Sequence, residues 1–286
     1  MKRALLCLAA ALAAASPVFS QSVSFKLTGG LAWINGGDFN TGVAGESTLI
    51  AAAAQTISGG LKGLSDGPFG HLEIITRLSS RLGLGFGGGY GRASAVSQIA
   101  SRGVDAGGLY DATNAYNGRV SVIPFSVNLH YLVPLSTKFT LDAFAGPVFA
   151  IVQINIANPT TSTANALNQL VTFTASQTAM GGQGGLGLSY GLSNRIDLIL
   201  DGFYRFGRVT NLQGNWALSG SNSAGPISGS SSTYYLWVYR TGTNGAYSRL
   251  GFFDEPGPTD PSASGAKKAT IDISGFVVSA GLKIRF

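Results

Sequence analysis

Charge is scarce in this chain: 11% of its 286 residues are Asp, Glu, Lys or Arg, where an ordinary soluble domain carries about 25%. A disordered chain kept in solution by its charge is therefore excluded. Cysteine occurs once, at Cys7, and the only histidines are His71 and His130. A single thiol allows neither an internal disulfide nor a thiolate metal cluster, and two imidazoles leave little material for acid–base chemistry. Beyond the N-terminal segment no apolar run reaches the length of about 18 residues that a membrane-crossing helix needs. The nearest, Phe139 to Ile156, contains Asp142, Gly146, Pro147, Gln153 and Asn155, a combination that a lipid-facing helix does not tolerate. The basic excess, 19 Lys plus Arg over 13 Asp plus Glu, is scattered rather than gathered into a stripe, so no nucleic-acid partner is expected. What the chain has in quantity is glycine, 41 residues without a three-residue period, which rules out collagen and points to a folded, low-charge structure.

Residues 1–20 read as a cleaved secretory signal. Lys2 and Arg3 supply the basic start, Ala4 to Ala15 the short apolar core, and Val18-Phe19-Ser20 the small residues before a cut at Gln21. Cys7 lies in the first half of that core and would leave with it.

From residue 21 to 286 the recurring pattern has period two, in which alternate residues share one face of a strand. Val23, Phe25, Leu27, Leu31 and Trp33 oppose Ser24, Lys26, Thr28 and Gly30. The same split marks strands near 71–78, 82–91, 125–131, 139–145, 185–190, 196–206 and 276–286, eight in all. Three connections follow one pattern at equal spacing along the chain: Leu78-Ser79-Ser80-Arg81-Leu82, Leu135-Ser136-Thr137-Lys138-Phe139 and Leu192-Ser193-Asn194-Arg195-Ile196. A hairpin unit is being reused. The other connections, near 34–68, 93–118, 157–180 and 209–267, are rich in Gly, Ser, Thr and Asn and are expected to be long surface loops, with short helices at Glu46 to Thr56 and Ala164 to Val171.

Short turns at one end and long loops at the other are the asymmetry of an outer-membrane β-barrel. A soluble sandwich also alternates, but it fills its outer face with Lys, Glu and Thr; here the non-apolar face is mostly Gly and Ser with a few opposed charges, which suits a barrel interior. The sheet must then close on itself, because lipid cannot satisfy an open strand edge. Aromatic residues fall at strand ends, with Phe25, Tyr131, Phe139, Tyr190 and Phe286 at the short-turn side and Trp33, Tyr90, Phe149 and Phe206 at the loop side, where interfacial girdles belong. The expected fold is all-β: a closed antiparallel transmembrane barrel of eight strands, with ten as the runner-up, short periplasmic turns and long extracellular loops.

The stretch from Gly182 to Leu198 (GQGGLGLSYGLSNRIDL), followed by Tyr204-Arg205-Phe206, resembles the penultimate hairpin of the OmpA/OmpX-type outer-membrane β-barrel superfamily. The closing Gly281-Leu282-Lys283-Ile284-Arg285-Phe286 resembles the C-terminal signal of such barrels. The resemblance covers strands and turns, not loops. It implies an integral protein of the bacterial outer membrane, delivered by periplasmic chaperones, recognised by the barrel-assembly machinery through Phe286, and surrounded by outer-membrane lipid and lipopolysaccharide.

Strand parity places Lys26, His71, Glu73, Arg77, His130, Asp142, Asp197, Asp201, Arg205, Lys283 and Arg285 inside. Charges in so small an interior must pair or hydrogen-bond. They make either a salt-bridge plug, which their near-balance of sign favours, or a narrow polar pore or catalytic Glu/His pair. Hydrolytic outer-membrane barrels need a histidine with a serine, asparagine or aspartate in register near the rim, and His130 is flanked two residues away by Asn128 and Leu132; no catalytic residue, cofactor or metal is expected. Gly83-Leu84-Gly85-Phe86-Gly87-Gly88 satisfies G-x-G-x-x-G literally, but no helix follows, so it reads as strand glycine. In the longest loop, Thr233 to Arg240 and Ala246 to Phe253 form a hairpin around Thr243-Asn244-Gly245. It either displays Tyr234, Tyr235, Trp237 and Tyr239 as a surface contact or inserts as two further barrel strands. The expected role is a structural or adhesin-like scaffold for an unknown extracellular ligand, with a small passive pore as the alternative and a lipid-modifying enzyme behind both.

Overall fold

The computed structural model describes residues 23–105, 108–242 and 245–286; the expected secretory signal, Cys7 included, lies outside them, as do Thr243 and Asn244 of the expected hairpin turn. Its ordered elements are β1 (Val23–Trp33), α1 (Asp38–Ala53), β2 (Thr56–Gly60), β3 (Asp66–Arg77), β4 (Leu82–Asp105), β5 (Gly108–Pro134), β6 (Phe139–Ser162), β7 (Leu167–Gly191), β8 (Ile196–Val209), β9 (Gln213–Asn222), β10 (Gly225–Thr241), β11 (Tyr247–Phe253), β12 (Ser264–Lys268), β13 (Ile271–Asp272) and β14 (Gly275–Arg285).

Antiparallel pairing runs β1–β3–β4–β5–β6–β7–β8–β14 and returns from β14 to β1, a closed ring through eight strands. Those eight contain the stretches read from alternation. The hairpin of β10 and β11 forms, with Tyr235 opposite Phe253, but stays off the ring, so it does not supply ninth and tenth ring strands. The three repeated turns are built alike. In each, the second residue is a serine whose Oγ accepts the backbone N–H groups two and three positions on, as Ser79 does from Arg81 and Leu82, Ser136 from Lys138 and Phe139, and Ser193 from Arg195 and Ile196. A short side chain thus satisfies donors the turn would leave open.

Two of the expected loops are strand. Residues 93–105 and 108–118 belong to β4 and β5, and residues 157–162 and 167–180 to β6 and β7, and each pair keeps one register far above the short turns. The expected helix at 164–171 shrinks to a single 3-10 turn at Ala164–Ala166, while the helix placed at 46–56 covers Asp38–Ala53 instead. The segment 209–267 carries β9 to β12. Composition misled here because polarity reverses along each long strand while the period of two continues. On β6 the inward row changes from Asp142 to Val148, Ala150, Val152 and Ile154, and the outward row from Phe139 and Phe149 to Gln153 and Asn155. On β7, Gln183 gives way inside to Ala179, Ala175 and Phe173, and outside Leu188, Leu186 and Met180 give way to Thr178, Ser176 and Thr174. Small polar residues on an exposed outer face look like loop to any reading that expects the outside to stay apolar.

At the same height the wall forks. β7 pairs with β8 over Gly181–Gly191 and with β9 over Asn168–Ala175, so the sheet continues upward into β9, β10 and β11 while β8 turns away to β13. The space this creates is filled by an apolar core that includes Val120, Val152, Ile154, Phe173, Leu212, Leu236, Leu250 and Ile271. α1 contributes Phe39 and Val43 to it, one helical face, and approaches β11 through Gly42 and Gly45. A Cβ on Gly45 would run into the backbone carbonyl of Ser248, and one on Gly42 into the Leu250 side chain. The Gly45→Leu variant is therefore expected to release α1 from β11 without opening the ring: hydrogen exchange should rise at least tenfold across residues 38–53 and stay at the wild-type level across residues 139–145 and 185–190, a pattern with the two regions changing together ruling out independent docking.

Candidate functional site

The lower interior is where the charged residues meet. β1, β3, β5, β6 and β8 direct Lys26, Glu73, His130, Asp142 and Asp201 inward, each 4% exposed or less. Lys26 Nζ lies 2.9 Å from Asp201 and 3.6 Å from Glu73, under the Phe144 ring at 4.9 Å. His130, fully buried, has Nε2 at 3.2 Å from Glu73 Oε1 and Nδ1 at 3.0 Å from the Asp142 carboxylate. With a carboxylate at each ring nitrogen, both nitrogens are placed to donate. Room for this cluster comes from glycine: a Cβ at Gly85 would sit 2.6 Å from both Glu73 Oε1 and His130 Nε2, and one at Gly87 would strike His71 Nε2. The alternating glycines of β4 are there for the long side chains of β3 and β5.

Two neutral amides that charge-based reading passed over join the halves of the network. Asn128 Nδ2 donates to Glu73 Oε1 at 2.6 Å, Gln183 Nε2 donates to Asn128 Oδ1 at 3.2 Å, and Arg205 donates to Gln183 Oε1 at 3.3 Å. Inward parity was the available signal for both, and their lack of charge hid them. Arg205 has no carboxylate partner among the described residues; the faces of Phe69 and Phe203, 5.2 and 5.6 Å away, hold it instead. His71 stacks on Phe69 at 6.0 Å. Near the turns, Asp197 takes Lys283 at 3.5 Å and Arg285 at 2.6 Å, and Lys283 also donates to Ser189. Arg77 shares the inward parity but is half-buried beside its turn and outside these pairs.

Above the charges, Phe69, Phe144 and Phe203 meet edge to face at 5.9 and 5.7 Å, joined by Val277. Between this aromatic layer and the upper core lies a cavity of about 20 Å3, room for roughly one water. The Glu73–His130–Asp142 chain has the order of an oriented imidazole, yet it is sealed from solvent and no serine or threonine hydroxyl contacts it among the described residues. Beside it, opposite charges lie at ion-pair distance, Lys26 between Glu73 and Asp201.

The residues expected at the surface are placed differently from one another. Tyr234 packs on Trp216 at 5.0 Å and Tyr235 lies under Lys268 at 3.8 Å. Tyr239 meets Phe253 at 5.8 Å. Trp237 is 8% exposed and its indole donates to the Phe253 carbonyl, so it turns into the fold and offers little contact surface. Phe286 remains 74% exposed, against Phe25 at 5.5 Å, with its backbone N–H bound to the Val23 carbonyl.

No protein-family model matches the sequence, and no curated protein matches it. Among solved structures, a major outer membrane protein from Thermus thermophilus is 14% identical with a TM-score of 0.35, covering 94% of this chain and 100% of that one. The outer membrane protein OprG from Pseudomonas aeruginosa is 14% identical with a TM-score of 0.35 over 92% of this chain and 95% of its own. The outer membrane protease OmpT from Escherichia coli is 9% identical with a TM-score of 0.34 over 93% and 96%. Overlaps of this quality leave the role of the chain to its own geometry.

Removing one member of the buried cluster should cost far more than removing a bystander. Glu73→Gln is expected to lower the unfolding free energy in detergent micelles by about 3–5 kcal/mol, because Lys26 and His130 lose a shared counter-charge, and Arg77→Gln by no more than about 0.5 kcal/mol. Urea titration followed by tryptophan fluorescence measures both; similar costs would show the cluster to be incidental.

Proposed function

We propose that this chain is an integral barrel of the bacterial outer membrane, eight strands around a plugged interior, which holds a tall membrane-distal β-structure at the cell surface as a non-catalytic binding scaffold. The observation that carries the reading is the polarity reversal. From the short turns upward, the outward rows are apolar over Leu82 to Tyr90 on β4, Met180 to Tyr190 on β7 and Ile196 to Phe206 on β8, with Leu198, Leu200 and Leu186 half exposed or more. At about 3.3 Å per residue and a tilt near 40°, roughly ten residues span a band of about 25 Å, the height of the apolar belt on such barrels. Leu84, Leu198 and Leu282 share that outward face instead of meeting in a common core, which argues against two stacked sheets. Tyr90, Trp33, Phe206 and Phe276 mark its upper edge and Phe25, Tyr131, Phe139 and Phe286 its lower edge, with Arg81, Lys138 and Arg195 at the turns for headgroups.

Above the belt the architecture is that of a water-soluble domain, apolar inside and polar outside. A pore needs a continuous wet path, and ion pairs, the aromatic layer and the apolar core occupy it in series. The kinship with OmpA/OmpX-type barrels, the cleaved signal, assembly through Phe286 and contact with lipopolysaccharide complete the proposal on the strength of the residues that suggested them.

Reconstituted in planar bilayers, the protein should insert without discrete conductance steps; reproducible unitary openings would replace the plug by a channel. The belt has its own test in folding into lipid vesicles. Leu198→Arg is expected to destabilise by about 2–4 kcal/mol, as a cation does at the bilayer midplane, and Thr174→Arg, placed above the belt, by no more than about 0.5 kcal/mol. Equal tolerance at both positions would remove lipid from the outer face.

A further inference from the structure

The distal end of the chain contains a cavity that neither the plug nor the belt explains. It has a volume of about 250 Å3 and is walled by side chains from six elements: β7 together with Glu46 of α1, Tyr116 of β5, Asn158 of β6, Trp216 of β9, and Arg249 and Phe252 of β11. At this size, below the roughly 300 Å3 of a pocket for drug-sized molecules, it suits one six-membered ring rather than an extended chain.

Its aromatic walls are held from behind. Trp216 packs on Tyr234 at 5.0 Å, and Phe252 stacks on Phe173 at 4.9 Å with an interplanar angle of 24°. Its charges cancel within the wall: Arg249 Nε and Nη2 donate to the two Glu46 oxygens at 2.7 and 3.1 Å, a bidentate pair. An anion would meet the Glu46 carboxylate and a cation the guanidinium, so the cavity favours a ligand without net charge. Burial, with Glu46 nearby, pushes the Tyr116 hydroxyl up, which keeps it a neutral donor. The Asn158 side chain lies against the Tyr116 hydroxyl, and its Oδ1 is buried with no hydrogen-bond partner among the described residues, an acceptor facing an uncompensated desolvation cost until a donor arrives. A purely apolar ring would leave that acceptor and the free edge of the ion pair unsatisfied.

We propose that this cavity is a saccharide site, taking one pyranose ring of a neutral extracellular glycan with an apolar sugar face on the aromatic walls and ring hydroxyls on Asn158, Tyr116 and the Glu46–Arg249 pair. The inference rests on the scaffold reading above for its access to the cell exterior. It does not need the interior to be sealed.

The test uses the refolded full chain in detergent, titrated with glucose, galactose and their N-acetylamino derivatives, with glucuronate and cyclohexanol as the anionic and apolar ring controls, and read by tryptophan fluorescence and saturation-transfer NMR. At least one neutral sugar is expected to bind saturably in the millimolar range, tighter than either control. Asn158→Ala should weaken it by about tenfold, the loss of one buried hydrogen bond, Trp216→Leu should abolish it, and Trp33→Phe should leave it unchanged. If Trp216→Leu does not refold, Glu46→Gln takes its place, with weakened sugar binding and improved glucuronate binding expected. The proposal is overturned if no neutral sugar binds, if cyclohexanol binds as well as the sugars, or if Asn158→Ala is without effect. A silent bilayer with no sugar response overturns the saccharide site alone; a conducting protein that still binds sugar overturns the sealed interior alone.

Discussion

A strand surrounded by hydrocarbon has no water to bond its backbone, so each N–H and C=O has to find a partner on a neighbouring strand, and an open edge is forbidden. The ring from β1 round to β14 pairs each of its eight strands with two antiparallel neighbours and leaves no open edge, and much of the interior follows from closing so small a circle. Eight strands leave an interior only wide enough for side chains. Whatever points inward must pack against what points inward from the opposite wall, and ions there need a counter-charge, a hydrogen bond or an aromatic face in place of water, as Arg205 finds on Phe69, Phe203 and Gln183. Lys26, Glu73, Asp201, His130 and Asp142 do so at distances of 2.9–3.6 Å, and glycines at Gly85 and Gly87 make the room.

The same wall carries two opposite polarities. Below the height of Tyr90, Met180 and Phe206 it carries apolar residues outside and polar ones inside; above, the rows exchange roles while the backbone continues without a break. A strand can do this because its two faces are chemically independent, so the period of two survives an inversion of polarity. The fork at β7 occurs at this transition. Above it the outward rows are polar, and the sheet leaves the ring, recruits β9 to β11 and encloses an apolar core capped by α1. In this way the ring continues into an upper domain without a linker, and the cavity at its far end inherits the rigidity of strands anchored in the ring below.

Much of the lower half was legible in the sequence. Alternation located all eight ring strands because an apolar outward face set against a tight, polar interior imposes contrast at each step, as with Leu198 beside Asp197 and Ile284 beside Lys283. The turns were legible because serine at their second position is a local device. The upper half was not. Thr172, Thr174, Ser176 and Thr178 outside, with Ala175 and Ala179 inside, differ too little in polarity to announce a strand, and short polar side chains are shared by loops and hydrated strands alike. That Asn128 and Gln183 join the buried charges escaped notice for a related reason: an uncharged amide gives no sign of its partners until the groups around it are known.

The sequence by itself determined the periodicity, the faces and the turns, since these depend on neighbours two to four residues away. Which strands pair above the ring, where the wall forks, and that Glu46 of the helix meets Arg249 across two hundred residues of chain were decided only by the tertiary structure. Contacts of that separation are set by how the closed ring aims its long strands, and no local pattern of residues encodes an angle between distant segments.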